Sequence, residues 1–204
     1  MSLADKIKAN LAGAKPKPPL TLRPELLLHA NTVPPMHGVV PRVLLGQEWW
    51  DETRKAAAEL TGNRCAACGI SKYEALKHQW LEGHEVYTRN YAKGRQVYIE
   101  TVALCHYCHS FIHDGRLKSL LDKREITKAQ FDDYMRHGNA VLRKAGLTKQ
   151  PPYVGKIAKW ADWRLVLFGV EYPPLYKSYQ HWLSAFWDTD EGCPRHITDK
   201  AIWE

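Results

Sequence analysis

The sequence contains neither a long apolar run nor an export signal. No stretch approaches the roughly 20 consecutive apolar residues that a helix needs to span a bilayer, so we expect no membrane partner. The first 20 residues carry lysines, but no apolar run stands ahead of a small-residue cleavage site. We therefore expect a cytoplasmic protein.

Cysteine is scarce, with five among 204 residues. Four of them form two Cys-x-x-Cys pairs, Cys65 with Cys68 and Cys105 with Cys108. Without an export signal, such pairs favour metal binding over disulfides. Zinc in structural sites takes four N or S ligands tetrahedrally, and two Cys-x-x-Cys pairs complete that shell. We predict a structural Zn²⁺ held by these four cysteines and leave Cys193 as a free thiol without a role.

The charge balance is basic, with a formal net charge of +7. Lys and Arg displace counterions from phosphate backbones, so such a surplus suits a nucleic-acid partner, with DNA as the leading candidate. The same residues could equally form an ordinary solvated surface. The candidate phosphate contacts lie at a hairpin tip and beyond the second cysteine pair: Arg89, Lys93, Arg95, Arg116 and Lys118.

Hydrophobic periodicity divides the chain into three parts. Residues 1–24 are predicted to form an N-terminal arm, and 25–125 a zinc domain that opens with extended, proline-punctuated segments. A helix is predicted over 47–60, with Trp49, Thr53, Ala56 and Leu60 on one face. β-branched and aromatic residues around Gly94 predict a β-hairpin, and the second cysteine pair opens a helix that stops near Gly115.

The third part, residues 126–204, is predicted to be a helical, aromatic-rich extension packed on the core. One helix begins at Thr127, which forms a capping box with Gln130. Its apolar stripe includes Tyr134, Gly138 and Leu142. Further aromatic residues at helical spacing favour core packing over base stacking: Tyr179, Trp182, Phe186 and Trp187.

The cysteine pairs enclose a recognisable pattern. It consists of CAAC at 65–68, LEGHEVY at 81–87 and LCHYCHSFIH at 104–113. This pattern resembles the zinc-containing HNH nucleases, also called the ββα-metal or His-Me finger group, over about residues 47–120. The resemblance implies an α+β fold in which a zinc-stabilised ββα unit is flanked by helices.

The resemblance also implies metal-dependent hydrolysis of DNA phosphodiesters. Such hydrolysis needs a base to activate water and a cation to stabilise charge on the phosphate. By resemblance, the general base is His84, with Glu85 beside it as a further catalytic residue. His109 and His113, four apart on one helix face, would hold Mg²⁺ or another divalent cation distinct from the zinc.

Two positions depart from the family pattern. Gly83 stands where the family commonly has a metal-binding Asp or His, and Glu100 stands where it has Asn. Glu82 or Glu85 could supply a carboxylate instead, but we expect both to point away from the face of Gly83. We expect His84 to share their face only after a bulge. In an alternative assignment, His84 is a metal ligand and Glu85 or His78 is the base. His106 is expected to be exposed.

Two other classes of function remain open. A catalytically inactive HNH-like zinc module would bind nucleic acid or a protein partner, for example as a phage-encoded inhibitor or assembly factor. A purely structural protein would use the aromatic extension as an interface. Proteins of this pattern occur in phages and bacteria, so the expected location is a bacterial cell or a phage-infected host.

Overall fold

The computed structural model describes residues 20–30, 32–149 and 155–187. Nearly all of the predicted arm and Cys193 lie outside these residues, and so do the side chains of Phe186 and Trp187. The described part of the chain is α+β, as predicted, with one four-stranded sheet and five α-helices. The helices are α1 (Pro41–Leu60), α2 (His106–Ile112), α3 (Asp114–Asp122), α4 (Lys128–Lys144) and α5 (Tyr179–Trp187). The strands are β1 (Glu82–Asn90), β2 (Arg95–Leu104), β3 (Arg164–Leu167) and β4 (Val170–Tyr172).

The predicted hairpin is present and forms half of the sheet. Strands β1 and β2 pair antiparallel, with Glu82 opposite Leu104, and the register shifts between Val86 and Tyr87. A short 3₁₀ helix closes the turn, and Gly94 follows it with a φ of +63°, which favours glycine. A Cβ at Gly94 would also lie 3.1 Å from the backbone of Asp162, so this turn is fixed by close packing as well.

The C-terminal extension is partly strand, so the prediction that it is helical was wrong over 164–172. Strand β3 pairs parallel with β2, and β4 pairs antiparallel with β3, which gives the sheet order β1-β2-β3-β4. Leu165 and Leu167 alternate with half-buried neighbours along β3. This alternation spans only four residues and is flanked by aromatic residues, so it does not stand out in the sequence.

The hairpin contributes to two hydrophobic cores. The first lies around the cysteines and includes Val86, Val102, Phe111 and Leu142. The second is aromatic and belongs mainly to the C-terminal extension, with Trp163 and Trp182 fully buried in it. The segment before α1 reaches both cores. It contains two 3₁₀ helices, Pro24–Leu28 and Pro34–Met36, rather than only the extended segments that were expected.

The helix before the first cysteine pair is longer than predicted and turns a different face inward. It begins at Pro41 and is kinked at Gly46, whose φ is +90°. Trp50 and Ala57 are buried, whereas Leu60 is 85% exposed. The predicted stripe from Trp49 to Leu60 is thus displaced by one residue, because Trp50 packs against the hairpin.

The helix after the second cysteine pair ends earlier than expected. It stops at Ile112, and His113 leaves helical geometry with a ψ of +47° before α3 begins at Asp114. Gly115, the predicted stop, is buried inside α3. In contrast, the start of α4 follows the prediction, because Thr127 and Gln130 form the capping box and Tyr134, Gly138 and Leu142 are buried.

None of the helices in the described part of the chain combines the length and the apolarity needed to cross a membrane.

Helices α2 and α4 pack tightly against each other at Gly138. A Cβ there would lie 2.1 Å from Cγ of Phe111, which is fully buried. We predict that Gly138→Ala lowers the free energy of unfolding by about 1–3 kcal/mol, despite the better helix propensity of Ala, because the core has no room for the methyl group. Urea unfolding measures this. The neighbouring exposed change Asn139→Ala is the control, and equal stability of the two variants would contradict the packing.

A half-buried histidine ties α5 to the segment before α1. Trp182 Nε1 donates to His37 Nδ1 at 3.0 Å, and His37 Nε2 lies 3.0 Å from the carbonyl oxygen of Thr32. Burial lowers the pKa of His37 to about 4, although the contact with Thr32 partly opposes this. At pH values between about 4 and 6.5 the unfolded chain therefore binds more protons than the folded chain, so this contribution to stability is lost as pH falls.

We predict that wild-type protein loses about 1.6 kcal/mol more unfolding free energy than His37→Asn between pH 6.5 and pH 5, because the dependence approaches about 1.4 kcal/mol per pH unit between the two pKa values. Urea unfolding of both proteins across this range measures the difference. Other titrating groups affect both proteins alike. Parallel pH profiles would contradict the lowered pKa of His37.

Candidate metal centres

The four cysteines come together where β2 ends and α2 begins. Cys65 and Cys68 lie on the loop after α1, while Cys105 precedes the first residue of α2 and Cys108 lies in its first turn. The Ala66 amide donates to the carbonyl oxygen of Ala103 at 2.8 Å and so fastens this loop to β2. Within the loop, the Gly69 amide donates to the Cys65 carbonyl oxygen at 2.8 Å.

The sulfur positions fit a tetrahedral ion. All four sulfurs lie within 4.8 Å of one another, and Cys68 Sγ is 3.8 Å from Cys105 Sγ. Four Zn–S bonds of about 2.3 Å at tetrahedral angles give a sulfur–sulfur distance of about 3.8 Å. The predicted grouping is therefore confirmed: these cysteines could bind a metal such as zinc.

His137 is a neighbour of this centre that the sequence analysis missed. It projects from α4, and its Nε2 lies 3.4 Å from Cys108 Sγ. A ring N–H at this position would donate to the sulfur and spread the negative charge of a metal-bound thiolate. The available signal was its spacing, three residues after Tyr134 of the predicted stripe, which places both side chains on the same side of the helix.

A second group of possible ligands lies between β1 and α2. His84, His109 and His113 each place a ring nitrogen within 4.8 Å of the other two. His84 is only 6% exposed, and its ring centroid lies 5.3 Å from that of His109 and 5.2 Å from that of His113. The structure thus brings together the three histidines that the sequence assigned to one site. We refer to them as the three-histidine cluster.

His84 is held in its neutral form by its surroundings. Burial and the nearby His109 and His113 place its pKa well below the usual value for histidine. Burial likewise lowers the pKa of His113 to about 3. Among the described residues, the buried Nδ1 of His84 has no hydrogen-bond partner, which fits a nitrogen that serves as a metal ligand.

His29 is a further member of this region that the sequence analysis did not identify. Its Nδ1 lies 3.4 Å from Nε2 of His84, and burial lowers its pKa. It follows the 3₁₀ helix Pro24–Leu28, whose Leu26 and Leu27 are anchored in the first core. Only this tertiary packing brings a residue 55 positions away in the chain against His84.

Glu82 is the acidic partner of the histidines. His78 Nε2 lies 2.8 Å from its Oε1, His106 Nδ1 lies 2.7 Å from the same oxygen, and His109 Nδ1 contacts its Oε2. Burial alone would raise the pKa of Glu82, but the hydrogen bonds from His106 and His109 bring it well below the usual value for glutamate. Glu82 therefore stays ionised and orients His109.

These contacts correct two expectations about β1 and one about α2. Glu82 and His84 share a strand face directly, because the bulge lies farther along, between Val86 and Tyr87. Glu85 is two residues from Gly83, so it shares the strand face of Gly83 and lies opposite to His84. Burial on that face raises the pKa of Glu85. His106 is half-buried instead of exposed, because it is held between Glu82 and Tyr134.

The two departures from the HNH pattern have structural causes. A Cβ at Gly83 would lie 3.0 Å from the Trp50 ring and 3.1 Å from Arg54 Cβ, so α1 occupies the space of a side chain. Glu100, at the position of the expected Asn, accepts a hydrogen bond from Arg23 Nη1 at 2.7 Å. Neither position contributes a side chain to the three-histidine cluster.

A cavity of about 360 Å³ opens beside the histidines. Its wall combines the imidazoles and Glu82 with apolar residues of α3, and the exposed side chain of Arg116 lies at its edge. The wall includes His78, Trp80, Glu82, His109, His113 and Arg116. A cavity of this size with a cationic edge can accept an anionic group of a ligand.

The predicted phosphate contacts fall into two groups. Arg89 Nε donates to Gln96 Oε1 at 2.7 Å and Nη1 donates to the carbonyl oxygen of Ala30 at 2.9 Å, while Arg95 pairs with Glu171. These two arginines stabilise the sheet and the segment before α1. Lys93, Arg116 and Lys118 are exposed, and of these Arg116 is at the cavity.

Comparison of the chain with protein-family models, with curated proteins and with solved structures finds no match. Membership of the HNH group therefore stays a prediction that depends on the motif residues and on the geometry of the site.

The cysteine centre should determine whether the domain folds. We predict that Cys105→Ser abolishes tight zinc binding and unfolds the domain, because structural zinc contributes directly to folding free energy. Zinc per chain is measured after dialysis against a weak chelator, together with far-ultraviolet circular dichroism. Cys193→Ser, outside both pairs, is the matched control and should keep its zinc. A folded but zinc-free Cys105→Ser protein would contradict the prediction.

Proposed function

We propose that this protein is a metal-dependent phosphodiesterase of the HNH type that acts on nucleic acid. The observation that supports it best is the three-histidine cluster. In it, His84 of β1 meets His109 of α2 and His113, the residue that follows α2, beside an open cavity. In this proposal the four cysteines hold a structural Zn²⁺, and a second, catalytic cation lies among His84, His109 and His113.

The donor set indicates which catalytic cation to expect. Three imidazoles suit Zn²⁺, Ni²⁺, Co²⁺ or Mn²⁺ better than Mg²⁺, which prefers oxygen ligands. When bound, such a cation would stabilise charge on the phosphate and lower the pKa of a coordinated water. Glu82, through His109 Nδ1, fixes which nitrogen of His109 is available as a ligand.

The geometry favours the alternative role for His84. A general base must reach a water, but the ring of His84 is buried between His29 and the other two histidines. We therefore assign His84 as a ligand and His78, at the wall of the cavity, as the proton acceptor. Glu85 lies on the opposite face of β1 and has no direct part in this scheme.

The substrate class is inferred from charge. Arg116 at the cavity and Lys118 beside it on α3 are both exposed and would attract the phosphate backbone of DNA, in keeping with the net charge of +7. Arg89 and Arg95 have structural partners, so we assign them no direct phosphate contact.

A second candidate function is a catalytically inactive zinc module that binds nucleic acid or a protein. Two observations favour it: Trp50 fills the space beside Gly83, and Arg23 engages Glu100. A domain that has lost the side chains of an active centre would show such replacements. The histidine cluster would then serve only to stabilise the fold.

Plasmid cleavage tests the proposal. Supercoiled DNA is incubated with wild-type protein in Mn²⁺, Ni²⁺, Co²⁺, Zn²⁺ or Mg²⁺, beside His113→Ala and the control His181→Ala, an exposed histidine of α5. We expect nicking that falls at least about 100-fold in His113→Ala and is unchanged in His181→Ala. Absence of nicking in every cation, with intact binding to DNA, would favour the inactive module.

The role of His84 is tested separately by calorimetric titration of His84→Ala with Ni²⁺. If His84 is a ligand, affinity for the cation at this cluster falls together with cleavage. A variant that binds the cation normally and yet fails to cleave would return His84 to the role of general base.

A further inference from the structure

Next to the three-histidine cluster lies a second group of donors. His78, Glu82 and His106 each offer one ligand atom within 4.8 Å of the others. His78 precedes β1, Glu82 is its first residue, and His106 is the first residue of α2. The zinc centre and the proposed phosphodiesterase make no use of these three residues as a set of ligands.

The hydrogen bonds of His78 leave one contact unexplained. Its Nδ1 lies 3.2 Å from the carbonyl oxygen of Trp80, and its Nε2 lies 2.8 Å from Glu82 Oε1. Both of these oxygens only accept hydrogen bonds, whereas a neutral imidazole carries a single N–H. If Nδ1–H donates to Trp80, the lone pair of Nε2 faces the lone pairs of Glu82 Oε1, and a metal ion between these two atoms would replace this repulsion by two favourable contacts.

His106 approaches the same carboxylate oxygen from another direction. Its Nδ1 lies 2.7 Å from Glu82 Oε1, and its Nε2 lies 3.1 Å from the hydroxyl of Tyr134, which can accept from an Nε2–H and so leave the lone pair of Nδ1 for an ion. Two imidazole nitrogens thus converge on one carboxylate oxygen. Two histidines and one carboxylate form a donor set that commonly binds divalent transition metals.

The donors lie close to the spacing that an ion needs. Two ligand atoms on bonds of about 2.1 Å lie about 3.0 Å apart at a right angle and about 3.4 Å apart at the tetrahedral angle. The observed nitrogen–oxygen distances of 2.7 and 2.8 Å are those of hydrogen bonds. The donors therefore admit an ion after moving apart by a few tenths of an ångström.

The three donors are held in place and are accessible. Their side chains are 12%, 22% and 23% exposed, and all three line the 360 Å³ cavity. The ring of His78 stacks on that of Trp80 with centroids 3.7 Å apart, which fixes its orientation. An ion can thus enter from the cavity and find ligands that need little rearrangement.

We propose that His78, Glu82 and His106 form a further binding site for a divalent transition-metal ion such as Ni²⁺, Co²⁺ or Mn²⁺. This site is separate from the cysteine centre and from the three-histidine cluster, although Glu82 Oε2 connects it to His109. Metal binding here does not require phosphodiesterase activity. If His78 is the proton acceptor of that reaction, occupancy of this site competes with its role.

Calorimetric titration with Ni²⁺ tests the site in untagged protein that retains its cysteine-bound zinc. We expect two equivalents of Ni²⁺ in the wild type. His78→Gln and His106→Gln should each lose one equivalent, or weaken it by at least about 10-fold, while His113→Ala loses the other. His181→Ala is the control and should keep both, and thermal unfolding of each variant shows that it is folded.

The possible outcomes distinguish this site from the proposed function. A wild type that binds one equivalent, lost in His113→Ala and unchanged in His78→Gln, would overturn the further site and leave the phosphodiesterase proposal intact. One equivalent that is lost in His78→Gln and in His106→Gln but kept in His113→Ala would support this site and contradict the three-histidine cluster. Two equivalents retained in a folded His78→Gln protein would also overturn the proposal.

Discussion

The convergence of four sulfurs at the junction of β2 and α2 is the constraint on which the rest of the structure depends. It fixes the loop after α1 to the end of the hairpin, reinforced by the hydrogen bond from Ala66 to Ala103. Because α2 starts at this point, its direction across β1 is determined there too. His109 and His113 consequently face His84, and the first core closes around the cysteines.

A second consequence concerns charge. The region between β1 and α2 contains several histidines but one central carboxylate, Glu82, which contacts three of them. Burial keeps His84 and His113 neutral, and Glu82 remains ionised because imidazole N–H groups donate to it. Neutral imidazoles next to an oriented carboxylate are the condition under which cations bind well, so this electrostatic arrangement underlies the proposed cation site at the three-histidine cluster.

The C-terminal extension supports the site from a distance. Strand β3 adds to the free edge of β2, and α5 returns to the segment before α1 through the bond between Trp182 and His37. That segment carries His29 to His84 and Arg23 to Glu100. The aromatic core thus anchors the end of this segment nearest α1, whereas Leu26 and Leu27 in the first core hold the end that carries His29.

The sequence by itself determined the cysteine set, the hairpin around Gly94 and the capping box at Thr127. These features depend on short-range spacing, because residues a few positions apart take fixed relative positions in a turn or a helix. The grouping of His84 with His109 and His113 was implied by the resemblance of the motifs to the HNH pattern. Only the tertiary structure decided the roles of His29, Glu82 and His137, because each meets its partner through the packing of elements distant in the chain. The same holds for strand β3, which is specified by the edge of β2, and for Gly83, whose missing side chain is explained by Trp50.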